Sequence, residues 1–225
     1  MFQDVNGFEP QLRVVDRQPR ERGEALGLSR LESAKRAFTT RRVEFVSGMR
    51  LLRSGKPQAG DLVLARIETL GQHQKLESPH GRRAQLYAGD EIIVAYGERY
   101  APDQFEAVVP NDIGPCDLVA GGGVAGKVLS RHARVKRATR IRPIGLIADS
   151  FGHPVNLARH ALPLRTLRED RPQVIAVAGT SMNAGKTTAA AGLIHGLSRA
   201  GLKVAATKVT GTGSGGDVWS MVDAA

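Results

Sequence analysis

The sequence predicts a small β-rich, barrel-like domain that is followed by an α/β unit. Two observations predict this division of the 225 residues. In the middle of the chain, short apolar runs alternate with turn residues, as at residues 62–67 and 92–96, which is typical of short strands in a closed sheet. Closer to the C-terminus, an apolar run, a glycine-rich turn and a helical pattern follow one another, which is the order of a strand, a loop and a helix.

Residues 1–58 are arginine-rich and are predicted to form a basic leader that docks on the segment after it. Their one helix signal is the capping box Ser29-Arg30-Leu31-Glu32, which leads into Ala34, Ala37 and Phe38. In such a box the serine and glutamate side chains accept backbone N–H groups that the first turn of a helix leaves unpaired. We therefore expect one helix in the leader, with its start at the capping box.

Residues 59–160 are predicted to form the β-rich, barrel-like domain. An Ala-Gly-Asp turn precedes two of its apolar runs, and this short repeated motif favours a small closed barrel. Four apolar runs between turns predict strands, at residues 62–67, 82–86, 92–96 and 141–148.

A glycine-rich segment at residues 121–128 has the glycine-to-lysine spacing of a standard phosphate loop. Val128 stands where such a loop needs a hydroxyl residue for magnesium, and no clear apolar strand precedes the glycines. The segment is therefore predicted to be a tight turn into a short helix.

The C-terminal unit, residues 174–225, follows a predicted linker at residues 161–173. Its apolar run at residues 174–178 predicts a strand buried on both faces of a parallel sheet. After Gly185 the sequence predicts a helix that Gly201 ends as a C-terminal cap. This order of strand, glycine loop and helix directs backbone N–H groups and the positive end of the helix dipole at one point, which is an anion site.

The loop between this strand and this helix carries the strongest functional signal of the chain, Gly179-Thr180-Ser181-Met182-Asn183-Ala184-Gly185-Lys186-Thr187-Thr188. It predicts a P-loop that binds ATP together with Mg²⁺. Lys186 is expected to reach the β and γ phosphates, and the Thr187 hydroxyl is expected to ligate the metal. The residues predicted to bind the nucleotide are Gly179, Asn183, Ala184, Gly185, Lys186, Thr187 and Thr188.

The loop is longer than the standard pattern, because Gly179 stands one place before the usual first glycine. This spacing, with a second threonine after Gly-Lys-Thr, resembles the P-loop NTPase family that includes dethiobiotin synthetase, and the wider class of signal-recognition and MinD-like proteins. The resemblance covers residues 174–223. It implies an α/β P-loop domain in which a second strand, residues 203–207, ends in a lysine that faces the phosphates and the substrate, and Lys208 is the matching position.

The resemblance also implies an activity, that of an ATP-dependent ligase or phosphoryl-transfer enzyme that phosphorylates an acid or carbamate group. Its catalytic residues in this chain would be Lys186 and Lys208, and its small-molecule substrate is unidentified. Val209 follows where that enzyme has proline, and Ser181 stands where the MinD-like branch has a lysine.

A complete domain of this class needs more parallel strands, one of which ends in an acidic residue that holds the magnesium. We therefore expect the 225 residues to be truncated and catalytically incomplete, with an open sheet edge that pairs in a homo-oligomer or with a partner. Two interpretations of Asp217, which follows a glycine-rich run, are open: it helps to hold magnesium or to position a nucleophile, or, as we favour, it is a loop aspartate that satisfies its own turn.

The formal net charge of +10 supports an alternative hypothesis. In it, the chain is a basic β-barrel module that binds nucleic acid or a protein partner, and its P-loop is vestigial. The densest basic run lies at residues 131–140. Aromatic residues make up only 4% of the chain and do not interleave with the arginines, which argues against a binder of single-stranded nucleic acid.

The remaining composition predicts a cytoplasmic protein with no membrane partner. The first residues lack the basic and apolar regions of a signal peptide, and no apolar run approaches the roughly 18 residues of a membrane span. Cys116 is the only cysteine, so a disulfide within the chain is excluded.

Overall fold

The computed structural model describes residues 23–163, 172–211 and 213–225, and within them it is mostly β-sheet with few helices. The helices are α1 (Leu28–Ser33), α2 (Lys186–Arg199) and α3 (Gly216–Ala224), with 3₁₀ turns at Phe38–Thr40 and Leu157–His160. The strands are β1 (Glu24–Ala25), β2 (Lys35–Arg36), β3 (Arg50–Leu52), β4 (Leu62–Thr69), β5 (Lys75–Glu77), β6 (Arg83–Gln85), β7 (Glu91–Tyr96), β8 (Arg99–Tyr100), β9 (Phe105–Val108), β10 (Cys116–Ala120), β11 (Val124–Arg131) and β12 (Thr139–Ala148).

Five strands close into a ring in the order β4, β7, β11, β10 and β12, and β12 returns to β4. Four of the five pairings are antiparallel, while β7 and β11 run parallel. Closure leaves these strands without a free edge along the ring, which removes a site for unwanted strand pairing. The predicted β-rich character of this region is confirmed, and its sheet is mixed.

The side chains of β4 and β7 alternate between two apolar cores, because successive residues of a strand point to opposite faces. One core fills the ring, with contributions from all five of its strands, and the other lies outside it under α1 and β3. The ring core contains Val63, Ala65, Ile67, Ile92, Val94, Tyr96, Cys116, Leu118, Ala125 and Ile141. The outer core contains Leu31, Val43, Met49, Leu51, Leu62, Leu64, Ile93 and Ile147.

The segment before residue 59 belongs to the same sheet as the ring. β1 pairs with β3 and β3 with β12, while β2 pairs with β7 in parallel. An ion pair adds to this attachment, because the Arg30 guanidinium donates to both carboxylate oxygens of Glu91 at 2.8 and 2.9 Å. Hydrogen bonds from Arg30 and then from Arg66 hold the pKa of Glu91 at about 2, well below its usual range.

The leader helix differs from the prediction. α1 begins after Gly27, so Ser29 lies inside the helix and does not cap it. The helix ends at Ser33, because Ala34 is extended and the next residues pair with β7 as β2. Strand pairing at a distance therefore overrides the local helix signal.

The glycine-rich segment at residues 121–128 also differs from the prediction. It turns at residues 121–123 as expected, but it then enters strand β11 and not a helix. Gly123 makes this turn possible, because its φ of +97° is in the left-handed region and a Cβ there would come 2.1 Å from the Cβ of Ala37. Pairing with three other strands, β7, β9 and β10, holds β11 extended.

Helix α2 begins directly after Gly185, where the sequence predicts it, and it ends in a Schellman cap. The Gly201 N–H donates to the Ser198 carbonyl at 3.0 Å, and the Leu202 N–H donates to the Leu197 carbonyl at 3.1 Å. Gly201 adopts a φ of +82°, as this cap requires. None of the helices that the structure covers has the length and apolar character needed to cross a membrane.

The prediction of a strand before α2 and another after it is wrong. Residues 174–178 and 203–207 carry no strand assignment, and Val174 and Ile175 are exposed rather than buried. A strand forms only against a neighbour that accepts and donates its backbone hydrogen bonds, and no described strand pairs with these residues.

We expect Ile92→Ala and Ile93→Ala to destabilise the protein to a similar extent, by about 2–5 kcal/mol each. These neighbours on β7 are both fully buried, one in the ring core and one in the outer core. Urea unfolding measures the loss, with Val46→Ala at an exposed position as the control. A loss for Ile93→Ala no larger than the control would contradict the outer core.

Candidate functional site

The glycine loop leads into α2, and no side chain caps the start of this helix. Gly185 is the N-cap, with a φ of +82°. Asn183 also takes a positive φ, of 62°, so the loop turns twice just before the helix. The N–H groups of the first helical turn, from Lys186 onward, have no partner within the helix, and the positive end of its dipole lies there.

The Lys186 side chain folds back over the loop. Its ammonium group donates to the Ser181 carbonyl, and its stem passes next to Gly179. A Cβ at Gly179 would lie 2.9 Å from Lys186 Cγ, so a side chain at this position would push the lysine away. Glycine at the loop start is therefore required for the close approach of this lysine, which places its charge above the loop.

Three side chains meet at the start of α2. The Lys208 ammonium group forms an ion pair with the Asp217 carboxylate, and both side chains are about 30% exposed. The pKa of Asp217 is lowered, first by the hydrogen bond from Lys208 and also by one from the Thr187 hydroxyl. The structure thus brings together Lys208 and Thr187, two of the predicted site residues, and joins them through a carboxylate.

The interpretation of Asp217 as a loop aspartate that satisfies its own turn is wrong. The residue lies in the first turn of α3, and its partners come from Lys208 and Thr187. A local signal for this position exists in the sequence, because an acidic residue directly after a glycine run is favoured in the first turn of a helix.

The other predicted loop residues lie elsewhere around the helix start. Asn183 faces the β-rich region, where its side-chain amide donates to Asp103 at 2.9 Å. Thr188 and Ala184 are exposed. The structure records no contact that gives either of them a special role.

Glu77, which the sequence analysis missed, lies beneath the start of α3. Its carboxylate is 3% exposed and accepts hydrogen bonds from Ser214 Oγ at 2.6 Å, the Gly215 N–H at 3.0 Å and Trp219 Nε1 at 3.1 Å. β5, where Glu77 is the last residue, pairs only with the short strand β6 among the described strands. Nothing in the local sequence distinguishes this glutamate from an exposed one.

A second feature is a cleft of about 480 Å³ on the β-rich region, away from the glycine loop in sequence. Arg131, Arg137 and Arg140 line it together with Asp117. Asp117 is paired with Arg140 at 3.3 Å, and Arg131 donates to the Val135 carbonyl at 2.6 Å. The cleft therefore presents an excess of positive charge and belongs to the basic run found in the sequence.

Comparison with protein-family models, with curated proteins and with solved structures finds no match to this chain. Within the described residues, no group of three or more histidine, cysteine, aspartate or glutamate side chains is arranged to hold a metal ion.

We expect Lys208→Ala to raise the pKa of Asp217 toward that of an ordinary aspartate, because the ion pair is the main cause of its low value. Carboxyl ¹³C chemical shifts followed through a pH titration measure it. Lys203→Ala, at an exposed position in the same segment, is the control. An unchanged Asp217 titration in Lys208→Ala would mean that the pair does not form in solution.

Proposed function

We propose that this chain binds ATP with magnesium at the start of α2. The observation that carries the proposal is the meeting of Thr187, Asp217 and Lys208 beside an uncapped helix N-terminus, with Lys186 folded over the same loop. Unpaired N–H groups, a helix dipole and two lysines favour a polyphosphate at this point.

The side chains at this point fit a magnesium ion that arrives with a nucleotide. Mg²⁺ prefers oxygen ligands and is usually held by one or two carboxylates together with water and substrate phosphates. The Thr187 hydroxyl and the Asp217 carboxylate are two oxygen donors that already lie next to each other. When bound, the ion would neutralise part of the negative charge of the phosphate groups.

The chain's own residues have separable tasks in this proposal. The N–H groups at the start of α2 bind phosphate oxygens, and Lys186 exchanges its bond with the Ser181 carbonyl for one with a phosphate. Lys208, which is paired with Asp217, supplies a second positive charge. Two such charges stabilise the negative charge that a phosphoryl group carries during transfer.

For the reaction of a complete P-loop domain of this kind, we propose transfer of the γ-phosphoryl group of ATP to an acid or carbamate with release of ADP, as in an ATP-dependent ligase, in a cytoplasmic protein. The resemblance of the loop and of Lys208 to the dethiobiotin synthetase family supports it. Identification of the acceptor molecule would follow from a screen of small carboxylic acids and amines with ATP and Mg²⁺.

We expect Lys186→Ala to weaken the binding of MgATP by roughly tenfold to a hundredfold, because a hydrogen bond between charged groups is lost. Isothermal titration calorimetry on the full chain measures the affinity, with Lys203→Ala as a matched lysine control outside the loop. Equal affinities in the wild type and Lys186→Ala would remove Lys186 from the site.

The arginine-lined cleft favours a second candidate function, the binding of nucleic acid by the β-rich region. Three arginines on one cleft suit phosphate backbones, which Arg contacts without a need for a particular base. This function does not use the glycine loop.

If nucleic acid binds in this cleft, Arg137→Ala should weaken binding to a DNA or RNA duplex of any sequence and should lower the salt dependence by about one phosphate contact. Fluorescence anisotropy at several salt concentrations measures both quantities. The control is Arg82→Ala, at an exposed arginine that does not line the cleft. Identical salt slopes for the two variants would argue against the cleft.

A further inference from the structure

We propose that Glu77 is a positioning residue for the candidate phosphate site, through which the β-rich region holds Asp217 in place. This inference rests on the proposed function for its consequence, although the contact itself is independent of any ligand. The buried carboxylate contacts the start of α3, and α3 carries Asp217.

Because Glu77 is buried, its carboxylate requires hydrogen-bond donors from the protein. A carboxylate that is 3% exposed is costly to bury unless its oxygens accept hydrogen bonds. The three recorded donors all come from residues 214–219, two to Oε2 and one to Oε1. Loss of this segment would leave the buried carboxylate without these three hydrogen bonds, so Glu77 and α3 stabilise each other's placement.

The position of Glu77 is that of a helix cap supplied from a distant part of the chain. Gly215 is the N-cap of α3, and no side chain of its own neighbourhood caps the helix. The Glu77 carboxylate accepts the Gly215 N–H and places a negative charge at the positive end of the helix dipole. The first turn of α3 is thereby fixed to β5.

Close packing leaves this contact little freedom to shift. A Cβ at Gly215 would lie 2.7 Å from the Phe38 ring, and a Cβ at Gly122 would lie 1.8 Å from the Gly213 carbonyl oxygen. Gly81 lies equally close to the indole of Trp219, at 2.5 Å for a Cβ. Three glycines thus allow backbone and ring to meet without a gap.

Asp217 lies two residues after the N-cap that Glu77 holds. It is in the first turn of α3, and Trp219 is on the same turn, so the helix transmits the placement rigidly. Its carboxylate then reaches Lys208 and Thr187. The hydrogen bonds that Glu77 accepts in the described part of the chain come from Ser214, Gly215 and Trp219, so its effect on the phosphate site passes through the helix.

The test uses Trp219, which is the only tryptophan of the chain, as a built-in reporter. We expect Glu77→Ala to shift its fluorescence emission to the red, because the indole loses its partner and gains contact with water. We also expect faster hydrogen exchange of the Trp219 backbone N–H, which donates to the Gly215 carbonyl at 3.0 Å, and roughly tenfold weaker MgATP binding. Glu77→Gln should give changes smaller than those of Glu77→Ala, because an amide keeps one of the two acceptor oxygens.

Two further variants separate positioning from general destabilisation. Glu32→Ala, at an exposed glutamate on α1, is the matched control and should change none of the three measurements. Ser214→Ala removes one donor and leaves Glu77 in place, so it tests the same contact if Glu77→Ala fails to fold. We expect it to change the measurements in the same direction by a smaller amount.

The outcomes distinguish this inference from the proposed function. Losses of MgATP affinity in Glu77→Ala and Asp217→Ala that add fully in the double variant would overturn the inference, since Glu77 would then act independently of Asp217. If the wild type fails to bind MgATP, the proposed function fails, and the exchange of the Trp219 backbone N–H still decides whether Glu77 holds the first turn of α3. A wild-type affinity retained in Glu77→Ala also overturns it.

Discussion

The hydrogen-bond ladder between β12 and β4 is the interaction on which the rest of the structure depends. It joins the last strand of the ring to the first, with register pairs from Arg140 and Thr69 to Leu146 and Val63. Without it the sheet would have two open edges and the ring core would be exposed to solvent. β12 then continues beyond β4 and pairs with β3, so the strand that closes the ring also holds the outer layer.

The parts of the fold that the sequence predicts are those in which local pattern and tertiary environment agree. β4, β7 and β12 are apolar runs between turns, and all three are strands in the structure. β11 is the opposite case, because its glycines and lysine resemble a loop and its strand conformation comes from three neighbours. α1 ends early for the same kind of reason, since residues beyond Ser33 pair with a strand that lies far along the chain. Pairing partners at a distance are not visible in a window of the sequence.

The candidate site also has a part that the sequence predicts and a part that it does not. The loop from Gly179 to Thr188 is contiguous, so its glycines, lysine and threonine predict its conformation and its chemistry together. The link between Asp217 and Thr187 requires two helices to meet, and the link between Glu77 and Ser214 spans 137 positions. A buried glutamate looks the same as an exposed one in the sequence, because its burial depends on donors that the fold brings to it.

The Lys208 and Asp217 pair gives the site a resident counter-ion. An ammonium group already occupies the carboxylate that a divalent ion would ligate, so metal and lysine compete for one partner. A free cation that binds Asp217 would leave the Lys208 ammonium group without a counter-charge. A cation that arrives with an anionic ligand would bring a new counter-charge for that ammonium group. In the proposed site, this ion pair would therefore disfavour free metal ions and favour their complexes with anions, a selectivity that comes from the lysine already paired with the carboxylate and not from the shape of a cavity.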